Sequence, residues 1–332
     1  MRKLERVERI NEFFIKDKKN FKMQINKSYD PQITFIYPED PPPETFIIDE
    51  HPEKFIRGID NHILQSFLHL RYLGRQVNMA KIPPKKGIIF YHPDYPESIP
   101  PNSESLRVVF LADHARIKEK ADLWIVQNPQ QVNKRSFYLD HWPQPGMIPR
   151  DPSRGTLLEN VVYIGRQENL NENLLTDAWK KEIRRLGVNW HIEEKVWWDY
   201  RKVDIAVAIR RPFQKKWWRK ILPIKSFWEN SKPASKLINS WLAGVPVILS
   251  NESAYHNLRE RELDYLIAET PDQVISCIQE LQKNATLYAQ MVENGIQRRQ
   301  FYFADKVAER LWALIKGPIT AQYWKKVRRK RL

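Results

Sequence analysis

The sequence is poor in cysteine, in long apolar runs and in acidic residues relative to basic ones, and each shortage excludes a class of protein. Its one cysteine, Cys277, excludes an internal disulfide framework and any multi-cysteine metal cluster. No run approaches the roughly eighteen apolar residues that a membrane-spanning helix needs, and the first residues lack the apolar core of a secretion signal. We therefore expect a folded cytoplasmic protein.

The shortage of acids leaves a formal charge of +15, from 55 lysines and arginines against 40 aspartates and glutamates. This charge favours anionic partners, whether nucleotide diphosphates, lipid headgroups or nucleic acid, and does not choose among them. The basic termini, at 1–28 and 325–331, predict possible contact with an anionic membrane surface. No signature of a nucleic-acid-binding module is present, so we expect no specific nucleic-acid partner.

The size of the chain and the order of its patterns predict two α/β domains. Its 332 residues, 42% of them hydrophobic, can fill two cores. Short apolar strands alternate with helical patterns, and this predicts parallel sheets. The expected organisation is a charged amphipathic leader at 1–28, a first Rossmann-like domain at 29–145, a proline-rich linker at 146–158, a second Rossmann-like domain at 159–312, and a C-terminal helix with a basic tail at 313–332 that could pack back on the first domain.

The stretch from Lys232 to Ser250 predicts a loop, a helix, a tight turn and a strand. Pro233 suits a first helical turn, Gly244 can end the helix in the left-handed conformation, and Val247–Leu249 suits a buried strand. The N-terminus of such a helix offers free N–H groups and a partial positive charge beyond the carboxyl ends of the strands. We expect an anion site there, formed by Lys232, Ser235 and Lys236.

Other polar residues follow predicted strands of the second half and belong to the same expected site. They are Gly165 and Arg166, Arg210 and Arg211, and Glu252, Ser253 and Tyr255. A diphosphate needs positive side chains together with backbone N–H groups, because these stabilise the charge on the leaving group. Such a site requires no metal ion and no other cofactor.

The central segment also resembles a known family. The pattern Lys232-Pro-x-Ser-Lys-Leu-x-Asn-x-Trp-x-Ala-Gly-Val-Pro-Val-Ile is similar to the donor-binding segment of GT-B glycosyltransferases. The resemblance implies two Rossmann-like domains facing a central cleft, with a nucleotide-sugar donor on the second domain and the acceptor on the first. Many members carry glutamates where this chain has Ser231 and Asn239. Asn239 would then bind the ribose as a neutral substitute.

Further motifs resemble a group of bacterial, often cyanobacterial, glycosyltransferases over residues 85 to about 300. They are His141-Trp-Pro-Gln-Pro-Gly, Glu159-Asn-Val, Trp198-Asp-Tyr and Asn251-Glu-Ser-Ala-Tyr. The resemblance implies a glycan or lipid-linked acceptor, which the motifs do not identify.

An inverting enzyme of this kind needs a base to deprotonate the acceptor hydroxyl, whereas a retaining enzyme does not depend on one. The sequence offers four candidates in the first domain, which are Asp113, His114, His92 and Asp94. Our first candidate is Asp113, which directly follows a predicted buried strand, and the second is His92. A strand-end aspartate is also a common helix cap, so a structural role for Asp113 stays open.

Two alternatives remain from the sequence. The absent acids at Ser231 and Asn239 suit a catalytically inactive GT-B protein that binds carbohydrate or acts as a scaffold. The net charge suits a basic nucleic-acid-binding protein, which is the weaker interpretation.

Overall fold

A computed structural model describes residues 30–95, 104–112, 121–210 and 231–331 of the chain. Within these residues the chain forms two parallel β-sheets, each with its own hydrophobic core. The α/β class and the two Rossmann-like domains expected from the sequence are thereby confirmed.

The first sheet has six strands, all parallel, in the order β2-β1-β3-β4-β5-β6. All four residues of β1 and all four of β3 are buried, because apolar runs such as Ile33-Thr-Phe-Ile suit a strand that is covered on both faces. The strands are β1 Ile33–Ile36, β2 Asn78–Ala80, β3 Ile88–Tyr91, β4 Leu106–Phe110, β5 Leu123–Val126 and β6 Ser136–Tyr138.

The second sheet has five parallel strands in the order β11-β10-β9-β7-β8. The outer strand β8 is largely open to solvent, whereas β9 and β10 are fully buried. The strands are β7 Asn160–Ile164, β8 Asn189–Glu193, β9 Ile205–Ala208, β10 Val247–Leu249 and β11 Leu266–Ile267.

Eight α-helices are present in the described part of the chain. Two of them directly follow a π-helical turn, at Asp60–Leu64 and Ile315–Ile319. The helices are α1 Gln65–Tyr72, α2 Asp177–Arg185, α3 Ser235–Ala243, α4 Ser253–Leu258, α5 Pro271–Lys283, α6 Ala285–Arg299, α7 Ala304–Leu314 and α8 Thr320–Arg331.

Helix α3 forms where the sequence predicts it. Ile238 and Trp241 bury the apolar face of the helix in the second core. Gly244 ends the helix with a φ of +69°, a left-handed value that glycine adopts without a steric penalty.

The last two helices complete the core of the first domain rather than that of the second. Val307 and Leu311 of α7 and Val327 of α8 are buried in the same cluster as Phe35 and Phe90 of the first sheet. The helix at the C-terminus thus packs on the first domain, and in the described residues it continues to Arg331 through the basic segment.

One lysine of this basic end is used inside the fold. Lys326 donates hydrogen bonds to the carboxylate of Asp122 at 2.7 Å and to the carbonyl of Ser105 at 2.9 Å. These contacts attach α8 to the chain at the starts of β4 and β5. No helix in the described ranges is both long enough and apolar enough to cross a bilayer.

We predict that Leu311→Ala destabilises the first domain by about 2–5 kcal/mol, because a fully buried leucine is lost and leaves a cavity. Urea unfolding followed by tryptophan fluorescence measures the change. The control is Leu157→Ala, at a side chain that is 45% exposed, and its effect should stay below about 0.5 kcal/mol. Equal effects of the two substitutions would contradict the contribution of α7 to the first core.

Candidate functional site

A cavity of about 870 Å³ lies between the two domains and is lined by residues of both. It lies at the carboxyl ends of parallel strands of the two sheets. His92 directly follows β3, Gly165 directly follows β7, and Arg210 lies shortly after β9. Open α/β sheets bind their ligands at this edge.

The cavity brings together most of the residues that the sequence selected. Arg166 is one of them; its side chain is largely exposed and lies 3.8 Å from the carboxylate of Glu168. The predicted residues in the cavity wall are His92, Gly165, Arg166, Arg210, Lys232, Ser235, Lys236 and Asn239. The predicted residues Asp113 and Arg211 lie outside the described residues.

Lys236, in the first turn of α3, is the central cation of the second-domain wall. Its ammonium group donates a hydrogen bond to the carbonyl of Ile164 and lies 4.6 Å from the centre of the Tyr163 ring. Gly165 makes this position possible, since a Cβ there would lie 2.5 Å from Lys236 Nζ and its φ of +139° disfavours other residues. Gly165 therefore provides the space for the lysine.

The surroundings of Lys236 weaken its hold on the proton. Burial lowers the pKa of Lys236 to about 7, and the positive charge of Arg210 contributes in the same direction. A bound anion would raise this pKa again, because an opposite charge close by favours the charged form of the lysine. The position of Lys236 is therefore suited to an anionic ligand.

Arg210 is held by a carboxylate behind the cavity wall. Its Nε atom lies 2.6 Å from Oε2 of Glu252, which also accepts a hydrogen bond from Ser250. Burial alone would lower the pKa of Arg210, but the charge of Glu252 raises it above its ordinary value. The guanidinium group thus keeps both its charge and its direction.

Glu252 and Tyr255 were expected to contact the donor, and the structure places both behind Arg210. Neither of them lines the cavity. Tyr255 is buried, and burial followed by the charge of Glu252 raises its pKa well above the usual value. Their positions suit support of Arg210 and do not bring them to a ligand in the cavity.

The N-terminus of α3 adds backbone donors to the same wall. The residue before the helix, Ala234, has no side-chain acceptor for the N–H groups of the first turn. Ser235 and Lys232 lie beside this turn in the cavity wall. Free N–H groups and the helix dipole favour an anion at this point.

Two expected donor ligands also hold the domains together. The carbonyl oxygen of Asn239 accepts a hydrogen bond of 3.3 Å from the backbone N–H of Gln144, which precedes the second domain. The hydroxyl of Ser253 accepts a hydrogen bond of 2.9 Å from Asn128 of the first domain, and Ser253 does not line the cavity. Ser231, at the other position where relatives carry an acid, is fully buried.

On the first-domain wall, His92 is covered and Asp94 is accessible. His92 is fully buried, and a Cβ on Gly58 would lie 3.0 Å from its Nε2 atom. Its Nδ1 atom accepts a hydrogen bond from the backbone N–H of Asp94, whose carboxylate lies 3.4 Å away and is about half exposed. Among the described residues of this wall, Asp94 is therefore the one that presents a carboxylate to the cavity.

The backbone just before Asp113 is strained. Ala112 lines the cavity with a φ of +50°, a left-handed value that costs an alanine about 1 kcal/mol. Strained backbone of this kind clusters at functional sites.

Sequence reasoning missed three residues of the first-domain wall, which are Arg57, His62 and His141. The ring of His62 stacks on that of His92, with 5.8 Å between the centres, and meets His141 edge-on at 5.2 Å. Both His62 and His141 lie in the predicted first domain, 29–145, and neither directly follows a predicted apolar strand. Only the observation that His141 opens a family-like motif could have selected one of them.

Within the ranges that the structure describes, no three histidine, cysteine, aspartate or glutamate side chains are arranged to hold a metal ion.

No protein-family model matches the chain, and a search of characterised proteins returned no relative. Solved structures do match. TarM from S. aureus has a TM-score of 0.49 at 12% identity over 76% of this chain, which spans 58% of the length of TarM. Sucrose-phosphate synthase from Thermosynechococcus elongatus has a TM-score of 0.49 at 14% identity, covering 85% of this chain and 82% of its own. Alr3699/HepE from Anabaena, in complex with UDP, has a TM-score of 0.41 at 12% identity, and the match covers 86% of this chain and 99% of HepE.

The lowered pKa of Lys236 predicts a pH dependence of stability. The native pKa is about 7 and the ordinary value is 10.5, so between these pH values the unfolded chain binds more protons than the native protein. The free energy of unfolding should therefore rise with pH in this window, by less than the limit of about 1.4 kcal/mol per pH unit.

Urea unfolding at pH 7, 8.5 and 10 checks this contribution. Lys236→Met should lose it, so its stability relative to the wild type should fall as the pH rises. The control Lys283→Met, at an exposed residue ending α5, should follow the wild type. Parallel curves for all three proteins would show that Lys236 keeps an ordinary pKa.

Proposed function

We propose that this protein is a glycosyltransferase that moves a sugar from a nucleotide diphosphate donor to an acceptor hydroxyl. The observation that supports it is the convergence of Lys236, Arg210 and the N-terminus of α3 on one interdomain cavity. The donor diphosphate binds this second-domain wall. The acceptor, a glycan or a lipid-linked sugar of polysaccharide or glycolipid synthesis, binds the wall that carries His92 and Asp94.

The charges of the second-domain wall support a diphosphate as the ligand. Its cations are Arg166, Arg210, Lys232 and Lys236. Two carboxylates oppose them, Glu168 beside Arg166 and Glu252 beside Arg210. Among the described residues of this wall the basic side chains thus outnumber the acidic ones, which suits a diphosphate, and the reaction as proposed uses no metal ion or other cofactor.

In the proposed reaction the acceptor oxygen forms a bond to the anomeric carbon of the donor sugar. The bond from that carbon to the diphosphate oxygen breaks, and its electron pair leaves with the nucleotide. Lys236, Arg210 and the N–H groups of α3 stabilise this charge as it develops, and they do so most strongly when the diphosphate leaves. The acceptor proton passes to a base on the first-domain wall.

Three residues are candidates for this base. Asp113 follows the strained Ala112 at the cavity. His92 lies at the cavity under Gly58, so the acceptor would reach it only after a small displacement of the 57–58 backbone. Asp94, which the sequence also offers in the first domain, has a carboxylate that is about half exposed. If the enzyme retains configuration, none of them acts as a base.

Isothermal titration with UDP-, GDP- and dTDP-glucose tests the donor site. We expect at least one of them to bind, and Lys236→Met to weaken that binding at least tenfold, because a charge-assisted hydrogen bond is lost. The control is again Lys283→Met, which should bind as the wild type does. Failure of the wild type to bind any nucleotide-sugar would refute the proposal.

The alternative is a catalytically inactive protein that uses the same cavity to bind carbohydrate. Two observations favour it, at the two positions where relatives carry acids. The side chain of Asn239 accepts a hydrogen bond from the backbone N–H of Gln144, and Ser231 is fully buried. Release of nucleotide from a bound donor, lost in Arg210→Ala and insensitive to EDTA, would decide for the enzyme. Binding without any turnover or hydrolysis would decide for the alternative.

We also propose a cytoplasmic protein that associates with an anionic membrane surface through α8. Lys325, Arg328 and Arg329 are exposed on this helix. Replacing all three by glutamine should weaken sedimentation with phosphatidylserine vesicles about a hundredfold at low salt, since each basic residue contributes about 1 kcal/mol. The control replaces the exposed Lys180, Lys181 and Arg184 of α2. If both triple variants lose binding equally, the attraction is a property of the net charge and α8 has no special role.

A further inference from the structure

One buried side chain of the first domain reaches into the second domain beside the cavity. Asn128 follows β5 and is fully buried. Its carbonyl oxygen accepts a hydrogen bond of 3.0 Å from the backbone N–H of Gln130. Its amide group donates to the carbonyl of Lys232 at 3.3 Å and to the hydroxyl of Ser253 at 2.9 Å.

One of these acceptors belongs to the segment that carries Lys232 and Lys236, and the other to the segment that carries Glu252, the carboxylate beside Arg210. Lys232 lies in the loop that leads into α3, three residues before the start of the helix. Ser253 opens α4 and directly follows Glu252, which fixes the direction of Arg210. The amide group of Asn128 thus contacts the loop that leads to Lys236 and the residue next to Glu252, which holds Arg210.

The burial of Asn128 makes these hydrogen bonds specific. A buried amide that loses a partner leaves a polar group without compensation, and this costs more than the bond itself contributes. The Asn128 carbonyl is already used within its own turn, so the turn orients the amide toward the second domain. An ordinary surface asparagine would not constrain two separate segments in this way.

We propose that Asn128 is a positioning residue of the donor site, so that a first-domain side chain sets the geometry of the diphosphate ligands on the second domain. The proposal rests on the proposed function for the identity of the ligand. It does not make Asn128 a catalytic residue, because Asn128 contacts the site through Lys232 and Ser253 and does not line the cavity.

The test compares two substitutions of Asn128. Asn128→Asp keeps the shape and the carbonyl that caps the turn but removes the amide donors, and Asn128→Ala removes the donors without adding charge. Both should weaken UDP-glucose binding about tenfold by isothermal titration, because two donated hydrogen bonds are lost. The matched control is Asn133→Asp in the same connection, where the exposed asparagine contacts only its own loop, and it should change binding less than twofold.

A double-mutant cycle tests whether the effect passes through Ser253. Ser253→Ala should weaken UDP-glucose binding by itself, and combined with Asn128→Asp it should weaken binding by less than the product of the two single effects, because both remove the same hydrogen bond. If the double variant weakened binding by the full product of the two single effects, the effect of Asn128 would not pass through Ser253.

Amide hydrogen exchange of the nucleotide-free protein gives a readout that does not depend on the ligand. Asn128→Asp should speed exchange of the hydrogen-bonded amides in 238–241 and 256–259, and Asn133→Asp should not. Unchanged exchange overturns the proposal even if no nucleotide-sugar binds, in which case the proposed function fails separately. Faster exchange with unaltered UDP-glucose affinity also overturns it, since Asn128 would then support the fold and not the site.

Discussion

Two positive charges, on Lys236 and Arg210, are held close together at one edge of the second sheet, and the rest of the site is arranged around this repulsion. Placing like charges in surroundings that exclude much of the water is unfavourable. The chain offsets part of the cost at Arg210 through Glu252. At Lys236 it offers a carbonyl and the face of Tyr163, and the lysine holds its proton weakly as a result. The arrangement gains most when an anion occupies the cavity between them.

Helix α3 both lines the ligand cavity and contacts the first domain. Its first turn presents Lys236 and backbone N–H groups to the cavity, while Asn239 one turn later accepts a hydrogen bond from Gln144. The loop before it is held by Asn128 of the first domain. A helix that binds a ligand at one end and the neighbouring domain along its length links the geometry of the ligand site to the packing of the two domains. This explains why residues expected to contact only the donor also contact the first domain.

Much of the fold could be read from the sequence because its strongest signals are local. The buried strands β3, β5, β7 and β10 are continuous apolar runs, and α3 has a proline at its start and a glycine at its end. The short strands β2, β6 and β11 were not predicted, since a strand of two or three residues at a sheet edge is too short to show a periodic pattern.

The site could be read only in part, because its side chains were selected by their position after a strand. That rule found Arg210 and Gly165, whereas Lys236 was selected by its place at the start of a predicted helix. It could not show that Gly58 covers His92, that Glu252 and Tyr255 lie behind Arg210, or that Asn128 reaches Ser253, since each depends on a contact between segments far apart in the chain. At the basic end of the chain charge dominates the composition, so the sequence did not show that Tyr323 and Val327 supply an apolar face to the core of the first domain.

The crossing of α7 and α8 onto the first sheet also determines the order in which the chain can mature during its synthesis. The first domain is emerging from the ribosome when its sheet forms, but Val307, Leu311 and Ile315 of its core are made only after the whole of the second sheet. The second domain is continuous in sequence and has its own core, so it can fold as soon as it emerges. We therefore expect the domain that is synthesised first to be the one that is completed last, with its apolar face exposed to chaperones in the interval.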